Sequence, residues 1–216
     1  MQSGEPIRVL AVGATLWALA ALAPEALGQD AGWYAGIGVG RSEVNISTGS
    51  INAALVGVGA TSATTTADER RSGWKLFLGY QLNPYFAIEG GGGDYGRFSA
   101  RSTTTPAGTL QTQIKVNAWN LDAVGTMPLP NNLSVLGRIG LVRSTNKISL
   151  SGSGAVVVLQ SGLKDNDTNY KVGLGLGYDF SKNVGLRAEW ERLRVADGFG
   201  GDGDLDFLSV SLRFRF

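Results

Sequence analysis

Two carboxylates at alternate positions, Glu189 and Glu191, are the residues whose types and spacing could do acid–base chemistry. In a strand both would point to one face. The sequence holds no histidine and no cysteine, so a histidine-activated nucleophile and a Cys/His zinc site are excluded. The Asp-rich segments 165–167 and 202–206 lack the spacing of a calcium loop. We therefore expect that the protein is not an enzyme and that it binds neither a metal nor a cofactor.

Other charged residues follow the same alternation. Eleven of them, six cationic and five anionic, fall by parity on one face: Lys75, Glu89, Asp122, Arg138, Lys171, Asp179, Arg187, Glu189, Glu191, Arg213 and Arg215. If the segments close into a narrow barrel, that face fills its interior, where charges must pair. The near balance of charge favours a plug of ion pairs. A small leak or a gated pathway through the same interior stays open as the alternative.

The segments that position these charges alternate like strands. The last one places Leu208, Val210, Leu212, Phe214 and Phe216 on an apolar face. A soluble sandwich would bury that face, whereas a membrane barrel would turn it to lipid. The pattern recurs in eight segments of about the length that a tilted strand needs to cross a bilayer. They cover residues 33–39, 74–82, 85–97, 114–127, 133–142, 170–180, 184–193 and the C-terminal segment ending at 216.

The connections between these segments alternate in length. Tight turns follow the second, fourth and sixth segments, whereas residues 45–72, 98–113 and 144–169 form long connections rich in Ser, Thr, Gly and Ala. Short turns at one end and long loops at the other are typical of outer-membrane barrels. We expect the long connections to be exposed and mobile loops. The apolar run 155–159 either extends a hairpin or contacts a partner, and four glycines at 90–93 indicate a bulge or a close backbone approach.

Composition agrees with an exported barrel. The chain has 216 residues and a net charge of +1, so no electrostatic attraction to nucleic acid is indicated. An apolar stretch over 9–23 follows Arg8, and small residues surround position 28. This predicts a secretory signal peptide over residues 1–28, with a retained anchor helix as the alternative, and a barrel domain over 29–216. Tryptophan, tyrosine and phenylalanine near the strand ends predict aromatic girdles at the two membrane interfaces.

The stretch GYQLNPY at 79–85, followed by Glu89 and by Gly96-Arg97, resembles the second hairpin of the OmpA transmembrane domain. The resemblance covers roughly residues 32–216 and implies an all-β, eight-stranded, antiparallel up-and-down barrel in the outer membrane. Glu89 and Arg187 match the family's lumenal ion pair. Val124 and Gly177 stand where the family has a second pair, so a gate by partner exchange is not implied.

The C-terminal strand resembles the signal that the barrel-assembly machinery reads, carried by Val210, Leu212, Phe214 and Phe216. No cell-wall tether is implied. We expect a structural role in the integrity of a Gram-negative envelope, with loops available for adhesion or for host or phage contact. The alternative is a narrow, porin-like pore for small solutes or ions. Expected partners are outer-membrane lipid and lipopolysaccharide, with the assembly machinery and periplasmic chaperones during biogenesis and no nucleic acid.

Overall fold

The computed structural model describes residues 31–44, 48–57, 59–154, 162–196 and 202–216. The expected signal peptide, residues 1–28, and the apolar run 155–159 lie outside the described residues. Among the helical residues that the structure describes, none forms a helix long and apolar enough to cross a membrane. What the structure does describe is dominated by strands.

The described chain contains one helix and nine strands. In chain order they are β1 (Gly32–Val44), α1 (Thr48–Gly57), β2 (Ser62–Asp68), β3 (Arg70–Asn83), β4 (Phe86–Thr105), β5 (Gly108–Pro128), β6 (Leu133–Gly154), β7 (Leu163–Asp179), β8 (Val184–Ala196) and β9 (Asp202–Arg215). The eight predicted strands correspond to β1 and to β3 through β9. Apart from β2, each strand therefore begins or ends close to a boundary that the alternation predicted.

Eight strands close into a ring. Each pairs antiparallel with its neighbours in the order β4-β3-β1-β9-β8-β7-β6-β5, and β5 pairs back with β4. The first and last strands of the chain join in register, from Tyr34 opposite Arg215 to Val44 opposite Leu205. The predicted eight-stranded, antiparallel barrel is confirmed. The ninth strand, β2, is not one of the eight strands of the ring. It pairs with β4 from Ser99 to Thr105, beyond the residues of β4 that pair with β3.

Three neighbouring strands are about twice as long as a bilayer requires. β4, β5 and β6 have 20, 21 and 22 residues, whereas about 9–11 tilted residues cross the hydrocarbon layer. The expectation of mobile loops at 98–113 and 144–169 is therefore wrong for most of those residues. They continue the ladder, as in the pairing of Ser99 with Gln113 and of Ser144 with Asp167. Threonine, which favours strands, supports this extension beyond the barrel wall.

The first predicted loop, residues 45–72, also contains regular structure. Helix α1 lies against β2, where the Thr65 hydroxyl donates to Asn52 Oδ1 at 2.7 Å and lies 2.7 Å from the Ser102 hydroxyl. Ser102 is buried on the side of β4 that continues the barrel interior, and Leu55 of α1 is buried as well. Helix α1 therefore covers the inward-facing side of the extended hairpin.

Large apolar side chains form a band around the outside of the ring. Trp33 lies at the end with short turns, whereas Trp119 lies nine residues before the end of β5 and is 74% exposed. With about 3.3 Å per residue and a tilt of about 40°, these two tryptophans are separated by roughly 20 Å along the barrel axis. By strand register, Trp74 and Tyr170 each lie within two residues of the level of Trp119. The aromatic residues thus lie near both edges of the apolar band.

The glycine run Gly90–Gly93 explains how β3, β4 and β5 pack closely. These residues pair regularly with Leu78 to Lys75, so the expectation of a bulge at this run is wrong. The register shift of β4 lies further on, between Asp94 and Arg97, where Gly96 has a positive φ of 103°. A Cβ atom on Gly93 would lie 2.2 Å from the Trp74 carbonyl oxygen, so the close backbone approach is confirmed.

Gly93→Ala is expected to destabilise the barrel by about 1–3 kcal/mol, because the added methyl group meets backbone that cannot move aside. Gly90→Ala is the matched control, since a Cβ atom there has no described atom within 4 Å. Urea unfolding of the chain folded into lipid vesicles measures both variants. Equal free energies of unfolding would contradict the close approach at Gly93.

Candidate functional site in the barrel interior

Eight charged side chains meet inside the ring. All are buried, and they are four cations and four carboxylates: Lys75, Arg138, Lys171, Arg187, Glu89, Asp122, Glu189 and Glu191. They come from β3, β4, β5, β6, β7 and β8, each at an inward position of the alternation. Eight of the eleven charges that parity assigned to the interior therefore lie together, and we call them the interior charge network.

Arg138 is the centre of the network. Its guanidinium lies 3.1 Å from Glu89 Oε2, 3.0 Å from Asp122 Oδ2 and 3.1 Å from Glu191 Oε1, and it also contacts Glu189 Oε1. A planar guanidinium carries five N–H donors in a fixed fork, so one arginine can serve several carboxylates. Arg138 thereby links carboxylates of β4, β5 and β8 across the interior.

The two lysines complete the network. Lys75 Nζ lies 2.8 Å from Glu189 Oε2 and 3.0 Å from Glu191 Oε2. Lys171 Nζ lies 2.7 Å from Asp122 Oδ2 and 3.1 Å from Glu191 Oε1. The Glu189–Glu191 pair, which by spacing could have done acid–base chemistry, is thus surrounded by ammonium and guanidinium groups. In this arrangement both carboxylates serve as ion-pair partners.

The structure brings Glu89 and Arg187 together. Arg187 Nη1 donates to Glu89 Oε1, and the Tyr34 hydroxyl donates to the same oxygen at 2.7 Å. The Arg187 guanidinium also lies 5.1 Å from the ring centroid of Tyr34 and 5.5 Å from that of Phe77, within cation–π range. Since Arg138 contacts the other oxygen of Glu89, this carboxylate has two cationic partners although the family's second pair is absent.

Three of the predicted interior charges lie apart from the network. Arg213 donates to Asp179 at the end of the barrel with short turns, and the Asp179 side chain is 43% exposed. Arg215, at the end of β9, is also only partly buried. Their parity is inward, but they lie at the mouth because their strands end there. They therefore form a separate group at the mouth of the barrel and are not part of the interior charge network.

Apolar layers lie on both sides of the network. Toward the long hairpins the buried cluster consists of Tyr95, Phe98, Val116, Ala118, Val142, Leu193, Leu205 and Phe207. Toward the short turns it consists of Tyr34, Phe77, Ala87, Val124 and Leu136. Sequence reasoning did not single out these layers. Parity could have found part of them, since Leu193 continues the inward series of Glu189 and Glu191.

The whole cross-section is consistent with a membrane protein whose interior is filled. An apolar band on the outside and a balanced, buried charge network on the inside reverse the polarity of a soluble protein. Eight strands enclose a space that side chains just fill. The fold and this interior define an integral outer-membrane β-barrel.

The chain belongs to the outer membrane protein beta-barrel domain family, whose model matches residues 10–216. Outer membrane protein A of Salmonella typhi is 27% identical over 214 residues, which cover 96% of this chain and 54% of that protein. The chain thus spans about half the length of this relative. An uncharacterized protein of Coxiella burnetii is 25% identical over 188 residues, covering 76% of this chain and 75% of that protein.

Solved structures share the fold. The crystal structure of Neisserial surface protein A has a TM-score of 0.56 and 13% identity, covering 85% of this chain and 97% of that one. Outer membrane protein OprG of Pseudomonas aeruginosa has a TM-score of 0.50 and 10% identity, covering 89% and 99%. Both the family and the fold place the chain in the outer membrane, with its apolar band against lipid.

Arg187→Leu is expected to destabilise the barrel by about 3–5 kcal/mol, because it leaves Glu89 buried with less compensating charge. The double variant Glu89→Leu/Arg187→Leu should recover much of this loss, because no charge is then stranded. Arg213→Leu is the matched control and should cost at most about 1 kcal/mol, since its partner is exposed to water. Urea unfolding in lipid vesicles measures all three. A double variant no more stable than Arg187→Leu would contradict the ion pair between Glu89 and Arg187.

Proposed function

We propose that this chain is a non-conducting structural barrel that supports envelope integrity and presents extended hairpins outside the membrane. The observation that carries the proposal is the filled interior, in which four cations neutralise four carboxylates between two apolar layers. The barrel itself is the rigid, lipid-facing part, and the hairpins are the part available to partners. We also propose that it is not an enzyme, because the residues with acid–base potential are used in ion pairs.

The charge network argues against a pore. A selective channel lines its path with one sign of charge and binds an ion weakly enough to release it. Here a passing ion would have to break contacts such as those of Arg138 with three carboxylates at 3.0–3.1 Å. It would then meet Phe98 and Phe207, which are almost fully buried. Each step opposes passage, so the narrow-pore alternative becomes an outcome of the test below.

The long strands favour a role at the surface. About ten residues of β4, β5 and β6 extend past what a bilayer needs, which corresponds to roughly 30 Å of strand. Their outer halves carry polar side chains such as Thr103, Thr109 and Ser153, of which the last two are linked by a hydrogen bond of 2.6 Å. A paired, polar extension holds its strands in a defined place. It suits adhesion, or contact with a host or phage ligand.

The terminal strand supports the proposed dependence on the barrel-assembly machinery. Val210, Leu212, Phe214 and Phe216 are 42–73% exposed on the outside of the ring. The first three belong to the strand that closes the barrel against β1, and Phe216 follows it, with its N–H donating to the Trp33 carbonyl oxygen. An outward apolar and aromatic row on the closing strand is what an assembly factor could contact before closure. We propose periplasmic chaperones as earlier partners of the same apolar faces.

Ion conductance in planar lipid bilayers tests the closed interior. The refolded chain should give no discrete steps. Phe98→Ala/Phe207→Ala should also stay silent, because the charge network remains, whereas adding Arg138→Ala to these two changes should produce steps. Heat-dependent gel mobility shows that each variant is folded. Reproducible steps from the unaltered chain would overturn the proposal in favour of a narrow pore.

Trimming the hairpins tests the two proposed roles separately. Residues 45–68 are replaced by a short Gly/Ser turn one residue beyond the register partners Glu43 and Arg70. Residues 100–112 are replaced by a turn that joins the register partners Ser99 and Gln113. In a strain lacking the protein, the trimmed barrel should restore resistance to detergent as well as the full chain does. Adherence to host cells should return only with the full chain. Restored adherence with the trimmed barrel would contradict the surface role of these hairpins.

A further inference from the structure

Three cations stand directly side by side on the outside of the extended sheet. Arg97 of β4 pairs in register with Lys115 of β5, and Lys115 pairs with Lys147 of β6. The next residue in this register, on β7, is Lys164. Arg97 and Lys147 are exposed, and Lys115 is partly exposed. We call Arg97, Lys115 and Lys147 the basic row.

The basic row is only partly neutralised by its own neighbours. Like charges directly opposite each other on paired strands are destabilising. Lys115 has an ion pair with Asp94 at 2.9 Å, but within the described ranges neither Arg97 nor Lys147 forms one. The strands thus hold an unfavourable arrangement that an anion would relieve.

The other side of the barrel is built differently. On β8 and β9, Arg192 lies opposite Asp206 and Arg194 opposite Asp204. Arg192 donates to both carboxylate oxygens of Asp206, at 2.7 and 2.8 Å. There the cross-strand neighbours have opposite charge, as sheet stability favours. The cations of the row that have no ion pair among the described residues thus lie on β4 and β6, and they are not a feature of the extracellular part in general.

The height of the basic row indicates what kind of anion it meets. Lys115 lies four residues beyond Trp119 on the same face of β5, which is about 10 Å along the barrel axis. Trp119 marks the edge of the apolar band. Arg143, which is exposed, lies directly opposite it on β6. The row therefore continues the lipid-facing surface into the layer where headgroups lie.

We propose that the basic row, with Arg143 below it, binds phosphate groups on the headgroup of the outer-leaflet glycolipid, lipopolysaccharide. A lipid whose acyl chains pack beside Trp119 brings its phosphates to this surface without leaving the membrane. Arginine can hold a phosphate through two N–H donors, and lysine adds a point charge. The proposal rests on the outer-membrane location, and it does not depend on whether the interior conducts.

Binding of lipid A to the detergent-folded full chain tests the proposal. The probes are lipid A with both phosphates, lipid A with its phosphates removed, and inorganic phosphate, with affinity measured by thermophoresis. Phosphorylated lipid A should bind the unaltered chain and should bind Arg97→Gln/Lys147→Gln roughly 30-fold more weakly. The control Arg41→Gln/Lys182→Gln removes two exposed cations elsewhere and should bind like the unaltered chain.

The unfolding temperature gives a second readout, in which the two substitutions should have opposite effects without and with lipid A. Without lipid A, Arg97→Gln/Lys147→Gln should unfold at the same temperature as the unaltered chain or higher, because repulsion is removed. With phosphorylated lipid A, only the unaltered chain and the control should gain stability. Equal gain by Arg97→Gln/Lys147→Gln would overturn the proposal. So would equal binding of dephosphorylated lipid A, and equal stabilisation by inorganic phosphate would assign the row to free anions instead.

Discussion

The physical constraint on which the structure depends is that backbone N–H and C=O groups find no water in the hydrocarbon layer. Every strand that crosses must pair on both edges, which for strands requires a closed ring. The ring in turn assigns each side chain to lipid or to the interior by parity alone. The apolar band, the buried charges and the glycines at close backbone approaches all follow from this closure. At Gly140, for example, a Cβ atom would lie 2.3 Å from the Leu121 carbonyl oxygen of the paired strand, so the close approach of the two backbones demands a residue without a side chain.

Closure with only eight strands also decides what the interior can do. Charges removed from lipid but poorly hydrated must be compensated nearby, and replacing one member of a buried pair costs several kcal/mol. Arg138 meets this demand for several carboxylates at once, since its contacts reach β4, β5 and β8. The same contacts tie opposite walls of the barrel together. An interior organised in this way stabilises the barrel, and this is the physical basis of the structural role that we propose.

Sequence alternation predicted much of this arrangement, and its failures have physical causes. It predicted eight strands and brought eight of eleven charges to the interior, because parity is fixed by the pleat. It could not find that Tyr95 and Phe98, at odd and even positions of one strand, both face inward. The register shift between Asp94 and Arg97 changes the phase of β4. It also missed the extended hairpins, since Ser, Thr, Gly and Ala carry no contrast of hydropathy from which alternation could be recognised.

Beyond the membrane the constraint of backbone pairing is relaxed, and the charges there are arranged by other demands. If cross-strand charges only had to stabilise the sheet, opposite charges would face each other throughout, as Arg192 and Asp206 do. The run of Arg97, Lys115 and Lys147 departs from that rule on three adjacent strands. A local arrangement that weakens the isolated fold is best understood as one completed by a component of its surroundings. For a barrel in the outer membrane, the nearest anionic component at that height is the lipid itself.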